Sequence, residues 1–268
     1  MATRGTIFWL SLTVTLLAGV FLFVPMFLSV LAGVTRDYFI GWQSGLTTRW
    51  IVQVWQGYSS TIWLSLGIAV VCLACTIVVG VPAAYALSTS ESRASRLLEE
   101  LLVLPIAVPG LATALGLIVV YGGVSGLRSS AFLILVGHVL FTLPFMVRSV
   151  LAVLNSIDLK TLEEGARSLG ASFWQRFFHI VVPNCRTGIL AGALMVLTLS
   201  MGEFNMTLLL HTPLTRTLPV GLSDAYTQMR LEFGSAYTLI FFILIIPMLL
   251  LLQAFTAWAD AKSKRPAK

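Results

Sequence analysis

An all-helical integral membrane protein with six transmembrane helices is the fold class this sequence predicts. Of its 268 residues, 57% are hydrophobic and only 10% are charged, whereas a soluble domain carries about 25% charged residues. The mean hydropathy is +0.93. The apolar residues also gather into six long stretches, at about 7–32, 60–88, 101–121, 131–153, 186–210 and 236–258, each bounded by polar or turn-forming residues. A stretch of about 20 apolar residues crosses a hydrocarbon core of ~30 Å. The whole chain, 1–268, is therefore expected to be a single transmembrane domain with the lipid bilayer as its first partner.

The first stretch, "MATRGTIFWLSLTVTLLAGVFLFVPMFLSVLAG", follows Arg4. A secretory signal has an apolar region of only ~7–15 residues before a small-residue cleavage site, so this longer run is expected to stay as the first span. The 35–59 loop after it carries Trp42, Trp50 and Trp55, which suit either an interfacial belt or the docking of an outer partner. The second stretch contains Cys72 and Cys75 within "WLSLGIAVVCLACTIVVG". With no second ligand pair nearby, these thiols are expected to act as small apolar side chains rather than redox or zinc groups. Cys185 completes the three cysteines, and no disulfide framework is indicated.

Pro105 and Pro109 in the third stretch and Pro144 in the fourth are expected to kink their helices. His138 in the fourth has no His or Cys at ligand spacing, so a hydrogen-bonded packing role is expected there and no metal site. The fifth stretch holds Glu203 in "SMGEFNMTLLL", with Gly202 before it and Asn205 after it. An ionisable residue within a span is costly and marks a functional site by default. Glu203 and Asn205 are therefore candidates for a translocation pathway. The alternative, equally open, is a Glu paired with a neighbour for packing. The following "HTPLTRTLPVGLSDAYTQMRLEFGSA" mixes polar and apolar residues, as an outer loop or a half-inserted helix would.

Charge sets the orientation. Six spans place both termini on one side. If that side is the cytoplasm, inner segments hold 12 of the 17 Lys and Arg residues, among them Arg93, Arg96, Lys160, Arg167, Arg176 and the tail "KSKRPAK". The outer loops hold only Arg36, Arg49, Arg128, Arg216 and Arg230. Lys and Arg resist translocation in short loops, so cytoplasmic termini are expected. The net charge of +6 follows from those loops. No basic stripe with interleaved aromatics suggests a nucleic-acid partner.

The longest inner loop, from about Leu154 to Asn184, contains "LEEGARSLGASFWQRFFHIVVP". Joining two helices takes only a few residues. Asp158 is placed to cap a helix, with Glu163 and Glu164 early in it, near its positive end. Leu159, Leu162, Ala166 and Leu169 share one helical face. Gly165 is a weak helix former and suggests close approach of another group. Gly170 fits a C-terminal position that needs positive φ. Ser172 can cap a second, aromatic-rich helix that Pro183 limits. By itself this pattern also suits an interfacial helix that merely anchors the loop.

The spacing resembles the EAA loop of binding-protein-dependent ABC importer permeases: Glu-Ala-Ala, three residues, Gly, nine residues, Ile, one residue, Leu-Pro. Here it is Glu164-Gly165-Ala166, Gly170, Ile180 and Val182-Pro183. Gly165 replaces the first Ala and Val182 replaces Leu, and Gly165 in particular loosens the helix. "LPIAVPGLATALG", "HVLFTLPFMVRSV" and "LSMGEFNMTLLL" also look like such permeases, so the likeness covers about residues 60 to 255. It implies a type I importer (MetI-like) permease fold in a bacterial inner membrane. It also implies a coupling helix that docks on a separate ATPase subunit through Glu163, Glu164, Gly165, Ala166, Gly170, Ile180 and Pro183. Implied partners are ABC ATPase subunits, a second permease chain or copy, and an extracytoplasmic solute-binding protein.

The chain has no G-x-x-x-x-G-K-[ST], the usual phosphate cradle. ATP and Mg are therefore expected on the ATPase partner, with no cofactor and no catalytic residue in this chain. "GEFNMT" and "TRTLPVGL" resemble the subgroup that imports polyamines, ferric ions, thiamine or aminoalkylphosphonates. The preferred solute is a small amino-containing molecule such as 2-aminoethylphosphonate or a polyamine. A self-sufficient secondary transporter or channel is the alternative class, but it usually shows internal repeats and several coupled midplane charges. A membrane enzyme would need clustered His, Asp or Glu, whereas the three His are scattered.

Overall fold

Thirteen α-helices run through the described residues, 4–263 of the computed structural model, with extended backbone paired only where Thr35 meets Leu46. The tail from 264 onward, which weighs in the charge argument, lies outside the described residues. Four helices are long and apolar enough to cross a membrane: Ile7–Ala32, Arg49–Ser88, Ala131–Leu154 and Leu231–Ala254. Two bent pairs raise the number to six if each is one span.

The first bent pair is the third apolar stretch. Helix α3 (Arg93–Leu101) and the short α4 (Leu104–Ala107) precede α5 (Gly110–Tyr121), and the chain turns by 102° between α4 and α5. The sequence predicts one helix over 101–121, with kinks. The prolines do more than kink it. Val108 is pushed to extended geometry (φ −82°, ψ 128°), because the ring of Pro109 clashes with a helical residue before it. Pro109 then starts α5 as its N-cap. Pro144, by contrast, sits buried inside a continuous α6 (Ala131–Leu154).

The fifth stretch is also divided. Helix α10 (Arg186–Gly202) ends where Glu203 turns extended (φ −69°, ψ 120°), and α11 (Asn205–Leu210) follows. Between α6 and α10 the chain forms α7 (Leu159–Ser168), α8 (Phe173–Arg176), a π turn over Phe177–Val181 and α9 (Val182–Asn184). The segment Phe173–Asn184 is bent by 69° from α10. Pro183 falls in the first turn of α9, where its missing N–H costs nothing, and the break comes two residues later at Cys185.

The chain divides into two compact units: residues 1–59 with 221–244, and 60–220 with 245–268. In the first, α1 (Arg4–Ala32) exposes apolar side chains around most of its surface, as a lipid-facing helix does. Near its end, the Tyr38 N–H donates to Glu232 Oε1 (2.9 Å), while Tyr58, Phe233 and Tyr237 pack edge to face. Trp50 donates from Nε1 to the Thr35 carbonyl (2.8 Å), whereas Trp42 is exposed. The mixed polar and apolar stretch after the fifth span contributes α12 (Leu218–Thr227), ahead of α13 (Leu231–Ser263).

The second unit is organised on α6, which packs chiefly against α10. A Cβ at Gly188 would lie 2.6 Å from the Ser149 carbonyl oxygen. Only glycine permits that approach, the usual device of helix pairs in lipid, where packing rather than water expulsion drives association. Around this seam Met146, Val147, Val150, Ala193 and Val196 form a core that continues through Leu154 and Leu159 to Phe177 and Val181. The same core thus buries part of the α7–α9 segment.

Candidate functional site

The segment between α6 and α10 is shaped by local signals. Asp158 Oδ1 accepts from the Thr161 N–H (3.2 Å) and starts α7. Those hydrogen bonds hold the Asp158 carboxyl below its ordinary range. A lowered value means the cap is in place at neutral pH and is lost only as pH falls through that value. At the other end, Gly170 N–H donates to Arg167 O (2.9 Å) and Ala171 N–H to Ala166 O (3.0 Å), with Gly170 at φ +81°. This is a Schellman closure, which needs a left-handed residue at that position. Ser172 and Gln175 then cap each other's backbone in a reciprocal box that opens α8.

The face that α7 buries is not its leucine stripe. Leu159 enters the core, but Leu162 is exposed and Leu169 is 90% exposed. The side chain that turns inward four residues after Leu159 is Glu163, with 5% of its surface exposed. Tyr85, near the C-terminal end of α2 (Arg49–Ser88), donates its hydroxyl to Glu163 Oε1 at 2.6 Å. Arg176 Nε donates to the same oxygen at 3.4 Å, and Arg167 lies 4.0 Å from Oε2. The Tyr85 ring packs edge-on against Phe177 and tilted against Phe173. A buried carboxylate is tolerated only when paired and hydrogen-bonded, and these partners meet that need.

The remaining sequence candidates spread over the outer side of this anchored piece. Glu164 and Gly165 are exposed, with open space beside Gly165, and Ala166 is half-buried. Ile180 is half-buried against the core, and Pro183 is exposed. Leu162, Leu169, Phe173, Trp174 and Phe178 add apolar surface. A cleft of about 720 Å³ runs between the ends of α2 and α6 and α7, bordered by Glu91, Asp158, Lys160, Glu164 and Arg167. Sequence reasoning missed Tyr85 and Arg176 as members of this site. Arg176 stood in the quoted motif, but Tyr85 lies in an apolar span with nothing local to single it out.

Glu203 and Asn205 part company. The Glu203 side chain is 8% exposed and has partners at both oxygens. Oε1 accepts from the Met206 N–H (2.8 Å), and Oε2 accepts from the Thr207 N–H (2.9 Å) and the Thr207 hydroxyl (2.7 Å). It thus satisfies the first amides of α11. His138 Nε2 lies 3.7 Å from Oε2 and 2.9 Å from Thr207 Oγ1, while its Nδ1 is 2.9 Å from Ser200 Oγ. Thr142 donates to the His138 carbonyl and contacts Cys72 Sγ. His138 is therefore a buried, hydrogen-bonded residue. Asn205 is exposed, beside Gly110 at the start of α5. Among the described residues, no three His, Cys, Asp or Glu side chains cluster as a metal site.

Comparison with known proteins adds four similarities. The family model described as "Binding-protein-dependent transport system inner membrane component" matches residues 76–265. Over 245 residues the chain is 25% identical to Salmonella choleraesuis PhnV, named for a 2-aminoethylphosphonate transport system permease, covering 91% of this chain and 92% of PhnV. It is 29% identical over 202 residues to Haemophilus influenzae PotB, a spermidine/putrescine transport system permease, covering 68% and 69% of the two. The fold is similar to a chain of a bacterial ABC transporter involved in import of the acidic polysaccharide alginate. That match has a TM-score of 0.69 at 18% identity and covers 99% of this chain and 97% of the other.

Proposed function

The chain belongs to the family of binding-protein-dependent transport system inner membrane components, and from that premise we propose that α7 and α8 dock on a separate ATPase subunit and pass its movements to the spans. The protein is a permease subunit of an ATP-binding cassette importer. The observation that carries the docking proposal is the split character of α7. Its inner face is pinned through Leu159 and Glu163, while Leu162, Glu164, Gly165 and Leu169 stand free of the chain's own core. An exposed apolar and small-residue surface on a rigid support suits burial against a partner. Glu164 adds a carboxylate for a charge-assisted hydrogen bond with a basic residue there. Gly170 sets the angle between the two helices. Ile180 and Pro183 seat the segment against the core and at the entry to α10.

In this proposal ATP and Mg are bound by the partner, and two permease chains, identical or different, meet two ATPase subunits. A solute-binding protein delivers cargo on the opposite face. The test is co-purification of the tagged full-length chain from its native membrane: an ATPase subunit is expected with it. Recovery of a transport-competent chain without any ATPase would overturn the proposal in favour of a self-sufficient transporter.

Orientation is part of the same proposal, since α7 must face the compartment that holds ATP. A reporter fused after Lys268 is expected to be active on the cytoplasmic side. Activity only on the outer side would reverse the topology. For cargo, the similarity to PhnV over most of the chain and to PotB supports a small amino-containing solute, with 2-aminoethylphosphonate first and polyamines next. Specificity in this arrangement rests mainly with the binding protein, so titrating these solutes into that partner decides among them.

A further inference from the structure

Chain continuity takes α7 to α6, through the turn at 155–158, and to α10, through α8, the π turn and a 69° bend. It does not take α7 to α2, which lies more than 70 residues earlier. A charged link across that gap is Glu163. It receives the Tyr85 hydroxyl at 2.6 Å and Arg176 Nε at 3.4 Å on the same oxygen. Arg176 also donates from Nη1 to the Ala171 carbonyl at 2.9 Å, next to the glycine that closes α7. The end of α2, the middle of α7 and the end of α8 therefore converge on one carboxylate.

We infer that Tyr85, Glu163 and Arg176 form a clamp that makes α7, α8 and the C-terminal end of α2 move as one body, so that Tyr85 and Glu163 are positioning residues for coupling. The inference rests on the docking proposal above. Apolar contacts such as Leu159 with its neighbours are non-directional and let packed helices slide. A short hydrogen bond to a charged acceptor is directional and about twice as strong as a neutral one. Its burial adds stiffness, because a carboxylate drawn away from its donors inside the protein meets the full desolvation penalty. The rings of Phe173 and Phe177 flank Tyr85 and restrict its movement sideways. A push on the exposed face of α7 then reaches the span 60–88 directly, without first bending α10.

The test measures distance rather than stability. The three native cysteines are replaced, spin labels are placed at Ala86 on α2 and Ser168 on α7, both exposed, and the full-length chain is purified with its ATPase. Pulsed electron resonance then reads the label separation in nanodiscs, nucleotide-free and trapped with ATP and orthovanadate. The native clamp is expected to give one narrow distance in both states. Tyr85→Phe removes a single hydroxyl, and ATPase retention is expected to stay at the native level. Its trapped-state distance is expected to shift or broaden by several ångströms. Glu163→Gln should do the same, with the double variant no worse than either single one. Unchanged distances in both single variants, or a native distance that already differs between the two states, would overturn the clamp. Absence of any ATPase from the native preparation would instead overturn the docking proposal itself.

Discussion

Gly170→Pro should abolish ATP-driven uptake while leaving the spans assembled. Gly170 holds φ at +81° and donates its N–H to Arg167. Proline fixes φ near −65° and has no N–H, so the closure of α7 cannot form and α8 is re-aimed. A proline in an incompatible position costs about 3 kcal/mol or more, roughly a hundredfold at 1.4 kcal/mol per factor of ten. The penalty falls on a segment outside the spans, so helix content and membrane insertion should be close to native. Gly170→Ala, which can enter the left-handed region at about 1–2 kcal/mol, should retain intermediate activity. Glu164→Arg should weaken ATPase recruitment without disturbing the turn, since Glu164 is exposed. The measurements are retained ATPase and ATP-driven uptake, with circular dichroism as the control for folding. Native recruitment and uptake in both Gly170→Pro and Glu164→Arg would remove this segment from coupling.

Glu203 gives the second large effect, and the expected sign differs between two substitutions. Glu203→Leu strips the acceptor from two amides and the Thr207 hydroxyl inside the protein. Each buried donor left without its acceptor typically costs about 1–3 kcal/mol. The solubilised variant should therefore unfold at a clearly lower temperature, and less of it should reach the membrane. Glu203→Gln keeps one acceptor oxygen and the same shape, so it should assemble nearly as well. If Glu203 also serves the pathway, uptake by the Gln variant should fall more than its assembly does. A native unfolding temperature in Glu203→Leu would contradict the capping role. Native uptake kinetics in Glu203→Gln would leave the residue as a cap alone and leave Asn205, exposed beside Gly110, as the pathway candidate.

These two cases mark the boundary of what the sequence discloses. The parts of the α7–α8 segment that were legible are those whose physics is local. Asp158, Gly170 and Ser172 act on backbone groups within five residues of themselves, so their identities and spacing carry the whole message. The partner of Glu163 was not legible because it lies 78 residues away in an apolar span. The leucine stripe of α7 misled for a related reason. Helical periodicity identifies which residues share a face, but not whether that face meets this chain or another. The broken spans were hidden differently. Hydropathy averages over a window, and one extended residue at Glu203 scarcely lowers it. Pro105 and Pro109 did announce a disturbance, but a 102° turn depends on how α5 packs and not on the prolines alone.

The π turn over Phe177–Val181 bears on the clocking of the whole α7–α8 segment. A π turn is an α-helix with one residue more than its pitch allows, and each residue of an α-helix advances the azimuth by about 100°. That surplus residue therefore dials α8, and with it α7, to its compass bearing about the axis that leads into α10. With the surplus present, Phe173 and Phe177 both pack against Tyr85, while Leu162 and Leu169 look away from the core. Chain length across five residues thus bears on the heading of the exposed face of α7.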